Sequence, residues 1–124
     1  MITHRFDKYI NLARDISQEI DRPNRHISFI FKGPNLLSMG TNKRKSHPLA
    51  RKYEYILDDI HSELSSWIRV RHRKYPKSAL TLVNFHFSKL GLIKTARPCI
   101  RCLPWCIGTF DKIYFSTPEG IVKL

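Results

Sequence analysis

Pro98-Cys99-Ile100-Arg101-Cys102, together with His61-Ser62-Glu63 upstream, is the part of this chain whose reading decides the fold. Zinc accepts thiolate and imidazole ligands, and a catalytic zinc site usually keeps its fourth position for water. Cys99 and Cys102 are three residues apart, so near a helix start both sulfurs can face one ion. Pro98 suits that place, because a proline in the first helical turn lacks only an N–H that has no intrahelical partner. The helix is expected to run to about Ile107 and stop at Gly108. His61 must approach from elsewhere in the fold. Its two-residue offset from Glu63 keeps that carboxylate near the metal without requiring it to be a ligand. Three metal ligands and one proton carrier are thereby supplied from two separate helix starts. Cys106, four residues after Cys102, has two readings: a small buried thiol, or a fourth ligand that closes a purely structural zinc site.

Periodicity places these segments in an alternating α/β order. Phe6, Ile10, Ala13, Ile16 and Ile20 recur every three or four positions and predict an amphipathic helix from Phe6 to Ile20, stopped by Asp21-Arg22-Pro23-Asn24. His26 to Phe31 alternates, the Gly33-Pro34-Asn35 turn follows, and Leu36 to Met39 completes a hairpin. Residues 41–48 read as a basic loop leading to a helical stretch with Tyr53, Ile56 and Leu57. Asp58 and Asp59 can cap a second helix carrying His61 and Glu63 in its first turn. Ala79 to Phe87 is rich in β-prone and aromatic residues and predicts a central strand. Ser88 to Arg97 is expected to be a loop or short turn around Gly91. Ile113-Tyr114-Phe115 reads as a further strand, and Gly120 to Leu124 as a brief strand or a loose tail.

The chain has 124 residues, enough for one compact domain and too few for two ordinary ones. No apolar run reaches membrane-spanning length, and the N-terminus lacks the basic tip and hydrophobic stretch of a secretory signal. Three cysteines, two at chelating spacing, favour reduced thiols and a cytoplasmic or other intracellular setting. A formal charge of +12, from 22 Lys and Arg against 10 Asp and Glu, attracts polyanions or anionic small substrates over roughly 10 Å at moderate salt. The basic residues gather in two places, Lys43 to Lys52 and Arg69 to Lys77.

The pairing of H-x-E with P-C-x-x-C resembles the zinc nucleobase deaminases. Over about residues 3 to 118 the chain resembles a compact member of the cytidine deaminase-like superfamily, nearer its deoxycytidylate and tRNA-adenosine branch. The 41–48 stretch is similar to segments of small deaminase-like proteins, including viral ones. That resemblance implies a three-layer α/β/α domain around a mixed sheet, with Zn2+ held at two helix starts by His61, Cys99 and Cys102, and Glu63 as the catalytic proton carrier. It also implies that Asn42, in Gly40-Thr41-Asn42, contacts substrate, and that Lys43, Arg44 and Lys45 border the site mouth and steer a phosphate. Arg97 and Trp105 are further candidates for phosphate or base contact, and Trp67 for stacking. The implied reaction is hydrolytic conversion of cytosine to uracil in a nucleotide or single-stranded nucleic acid. Adenosine-to-inosine deamination in tRNA or related RNA, and a catalytically silent zinc-containing nucleic-acid binder, stand as alternatives. Two departures limit the transfer of substrate. Arg97 stands where tRNA-adenosine deaminases commonly have Glu and many nucleotide deaminases Ser, and the chain is short of the terminal helices that often complete the pocket, a gap that a homo-oligomer would fill.

Overall fold

The computed structural model describes residues 1–44, 47–53 and 60–124. Its seven strands are β1 (Ile2–Thr3), β2 (Asn24–Lys32), β3 (Asn35–Thr41), β4 (Leu80–Ser88), β5 (Ile93–Lys94), β6 (Lys112–Thr117) and β7 (Gly120–Lys123). They form one sheet in the order β1-β7-β6-β4-β2-β3, with β5 added to β4 beside β6. β4 and β6 are parallel and the other strand pairs antiparallel, which makes the sheet mixed. The helices are α1 (Ile10–Ser17), α2 (Pro48–Lys52), α3 (Ser62–Ile68) and α4 (Leu103–Thr109). α1 covers one face of the sheet, and α3 and α4 the other. This is the three-layer α/β/α arrangement expected from the sequence. None of the described helices is long and apolar enough to cross a membrane.

The layers follow from alternation along β2 and β4, whose residues 24–32 and 88–80 pair in continuous antiparallel register. Successive side chains of a strand point to opposite faces. Ile27, Phe29 and Phe31 of β2 and Val83, Phe85 and Phe87 of β4 therefore meet Phe6 and Ala13 beneath α1. Ile30, Leu80 and Leu82 turn the other way, toward Leu64 of α3 and Cys106 of α4. β4 is buried on both faces, as its β-prone composition predicts for a central strand. Burying each of these large apolar side chains contributes roughly 1.5–3 kcal/mol.

Several boundaries differ from expectation. α1 is shorter than Phe6 to Ile20, because Asp7–Tyr9 forms a 3-10 turn before it. The basic loop gives way to α2 already at Pro48. The loop expected from Ser88 to Arg97 contains β5, which returns along β4 after a turn with Gly91 at φ +82. β7 is a strand that pairs on one side with β6 and on the other with β1, an edge strand the periodicity did not reveal. Pro98 and Cys99 do not open α4. The helix begins at Leu103, with Pro104 in its first turn, and passes through Gly108 to Thr109. Asp58, Asp59, Ile56 and Leu57 lie outside the described residues.

Gly40 sets how closely α3 approaches the sheet. A Cβ at this position would collide with the Ser66 backbone nitrogen and come within 2.7 Å of the Ser65 carbonyl carbon. Ser38 reinforces the contact by donating its hydroxyl to the Ser66 carbonyl at 2.9 Å. Small residues on β3 thus let the start of α3 settle against the sheet, where His61 and Glu63 are.

Candidate active site

His61 sits immediately before α3 in extended conformation, at φ −72 and ψ 157. Its position is fixed from the preceding residue: Ile60 and Lys43 exchange backbone hydrogen bonds of 2.9 and 3.0 Å, tying the start of α3 to the end of β3. Cys99 and Cys102 lie in a single turn ahead of α4, closed by Leu103 donating its N–H to the Cys99 carbonyl at 2.8 Å. That turn, not the helix itself, brings both sulfurs to His61. The Nδ1 atom of His61 is 3.3 Å from Sγ of Cys102 and 3.5 Å from Sγ of Cys99. All three ligand atoms lie within 4.8 Å of one another. Zinc bonds of about 2.3 Å to sulfur and 2.0 Å to nitrogen, at a tetrahedral angle, separate sulfur and nitrogen by roughly 3.5 Å. The side chains present therefore fit a zinc ion.

Among the described residues this cluster contains neither Cys106 nor Glu63. Cys106 is buried in the core shared by α3 and α4, and burial pushes its thiol pKa up. The Cys99 thiol is lowered to about 3, chiefly by its hydrogen bond with Cys102, with the His61 contact adding to the effect and burial opposing it. The thiolate is the form that binds metal. Three ligands without a fourth among the described residues match the pattern of a catalytic site more than that of a closed structural one.

Glu63 is buried in the first turn of α3 and belongs to a closed ring of hydrogen bonds. Asn84 donates through Nδ2 to Glu63 Oε2 at 3.1 Å. The Ser28 hydroxyl donates to Asn84 Oδ1 at 2.7 Å and lies 2.7 Å from the Ser62 hydroxyl, which in turn lies 3.2 Å from Glu63 Oε1. Ser28 and Asn84 are cross-strand partners, so the ring is built by the β2–β4 register. Ser62 has one proton to give, either to Ser28 or to Glu63. When the carboxyl is protonated it can donate to Ser62, and every member of the ring then gives and receives one bond. Burial raises the Glu63 pKa, the direction that suits a group passing a proton between its two forms.

These residues border a cleft of about 450 Å³ whose lining includes His26, His61, Glu63, Cys99, Asn42 and three arginines, Arg22, Arg44 and Arg97. Asn42 is held firmly at the wall. Its Oδ1 accepts the His26 backbone N–H at 2.9 Å, and its Nδ2 donates to the Asn24 carbonyl at 3.0 Å. The His26 ring stacks on His86 at 4.1 Å, and its pKa is lowered to about 4, first by burial and then by His86. Arg44 and Arg97 line this cleft as well as being sequence candidates, whereas Lys43 lines an adjoining depression. Lys45 lies outside the described residues. Trp105 does not reach this cleft. It is 8% exposed and packs against Tyr53 and Phe110 in the core, and Trp67 packs edge-on to Phe110. The basic segment at Arg71–Arg73 and Lys77–Ala79 leads into the Leu80 end of β4, away from the His86 end at the cleft.

Ser28, Ser62, Asn84, His26 and Arg22 escaped the sequence reading. A usable signal existed for two of them, because Ser28 and Asn84 are polar residues inside runs that are otherwise apolar on both strand faces.

No protein-family model and no curated protein matches the chain. Among solved structures it is similar to the cytidine deaminase from Mycobacterium leprae, with 16% identity, a TM-score of 0.60, and 95% of this chain and 92% of that chain covered. The fold is thus of the cytidine deaminase type, and in this chain it carries a His/Cys/Cys cluster able to hold a metal ion.

Proposed function

We propose that this protein is a zinc-dependent hydrolase that converts cytosine to uracil in a nucleotide or in single-stranded nucleic acid, acting as a single domain over residues 1–124. The observation that carries the reading is the buried Glu63 carboxyl at a cleft that also exposes His61 and Cys99 of a His/Cys/Cys cluster, which has no fourth ligand among the described residues. His61, Cys99 and Cys102 would hold the ion, which supplies Lewis-acid activation of water near neutral pH. Glu63 takes the proton released as water attacks C4 and delivers it to the neighbouring ring nitrogen. It then carries the second proton of that water to the departing amine, so water and cytosine yield uracil and ammonia. Ser62 and Asn84 hold the carboxyl in place through both oxygens. Asn42 shapes the wall, and Arg44 and Arg97 offer cations to a substrate phosphate.

The test is mass-resolved deamination by zinc-loaded protein over cytosine and adenine nucleotides and single-stranded DNA and RNA. Glu63→Gln protein runs in parallel, with its zinc content measured. Conversion of cytosine that vanishes in Glu63→Gln while zinc remains bears the reading out. Conversion of adenine alone moves it to adenosine deamination. Tight binding without product from any base, unaffected by Glu63→Gln, makes the protein a silent binder.

A further inference from the structure

We propose that the cleft takes a single-stranded polynucleotide, with the reacting nucleotide above Glu63 and its phosphodiester-linked neighbour in a second chamber alongside. The identity of the reacting nucleotide rests on the deamination reading; the second chamber stands on geometry. It measures about 560 Å³ and is more open than the first. It shares Asp21, Arg22, Asn42 and Arg44 with the first chamber and adds Glu19, Ile20, Thr41 and Lys43. A cleft of the first chamber's size already falls in the range of about 300–1,000 Å³ that takes a whole small ligand. A lone nucleotide therefore leaves the adjoining space without use.

Charge at the junction distinguishes the two kinds of phosphate. Arg22, Arg44 and Asp21 together carry one net positive charge where the chambers meet. A phosphodiester's single negative charge is matched by this one net positive charge, whereas a terminal phosphate, carrying roughly 1.5 to 2 near neutral pH, is left partly uncompensated. Beyond the junction, Ile20 and Lys43 line the second chamber. The overall charge of +12 concentrates polyanions around the whole molecule.

Binding separates this idea from the chemistry. Zinc-loaded full-length Glu63→Gln protein is titrated with cytidine monophosphate and with dinucleotides carrying a neighbour on the 5′ or the 3′ side of cytidine, in ribose and deoxyribose forms. One linkage isomer is expected to bind about ten-fold tighter than the mononucleotide, the gain that one added base and its phosphate ordinarily provide. Arg44→Ala should remove most of that gain, and Glu19→Gln, which deletes a carboxylate from the second chamber, should enlarge the ratio. A mononucleotide that binds as tightly as both isomers overturns the proposal, as does a gain indifferent to both substitutions. The two readings fail differently. Dinucleotide preference without turnover by the unsubstituted protein defeats deamination and leaves the chamber, whereas turnover of the mononucleotide without dinucleotide preference does the reverse.

Discussion

The two faces of the β2–β4 pair are made by the same register and differ completely in what they can do. Toward α1 the cross-strand pairs are Ile27 with Phe85 and Phe29 with Val83, and Tyr9, Phe6 and Tyr114 complete an aromatic core. Toward α3 and α4 the pairs run from Ile30 with Leu82, through Ser28 with Asn84, to His26 with His86. The apolar end of that second series packs the helices, its polar middle holds Glu63, and its titratable end brings His26 to the cleft. One strand pair is thus scaffold on one side and machinery on the other. The site lies where the second face stops being apolar.

The comparison breaks most sharply at Glu63. Glu63→Gln keeps nearly the same shape but cannot carry a proton, so turnover is expected to fall roughly 10²–10⁴-fold with zinc content unchanged, measured by product formation and metal analysis. Phe85→Ala, on the opposite face, should cost about 3–5 kcal/mol of stability in thermal or urea unfolding, because a buried aromatic side chain leaves a cavity. Zinc content per folded molecule should not change. Asn84→Ala lies between these extremes. It strips a hydrogen bond from Glu63 Oε2 and leaves the buried Ser28 hydroxyl without its acceptor, a loss of about 1–3 kcal/mol. It should lower kcat more than it changes KM; an unchanged kcat would show that the ring only packs. Gly40→Ala should destabilise by a similar amount, about 1–3 kcal/mol, because the added methyl meets backbone that cannot rotate away.

That division explains what was readable in the sequence. The apolar face was legible because Ile27, Phe29 and Phe31 repeat with the period of a strand, and the metal ligands because zinc restricts both residue type and spacing. The ring around Glu63 was not, since Ser28, Ser62 and Asn84 are far apart in sequence and meet only through strand register and the close seating of α3 on Gly40. Trp105 was misjudged for the complementary reason. An indole next to a metal-binding motif can stack on a base or fill a core, and only the fold shows that α4 turns it toward Tyr53 and Phe110. The start of α4 was set five residues early because the Pro98 rule describes a first helical turn, while the cysteines here occupy the turn that precedes one.

The smallest expected effect lies at the titratable end of the polar face and concerns pH. His26 has its pKa depressed to about 4 in the folded protein, against an ordinary value near 6.5. The unfolded chain therefore binds a proton at His26 between these limits that the folded protein refuses. Stability from the neutral ring is complete above about pH 6.5 and is lost as pH falls toward 4, by at most about 1.4 kcal/mol per pH unit. Glu63 acts in the opposite sense, because burial raises its pKa and the folded protein takes up its proton first as pH falls. The two contributions separate in a comparison of urea midpoints across this window. Substitution of His26→Gln should flatten the acid-side loss, whereas a pH dependence identical to that of the unsubstituted protein would show that the stacked His26–His86 pair is solvated enough to protonate freely.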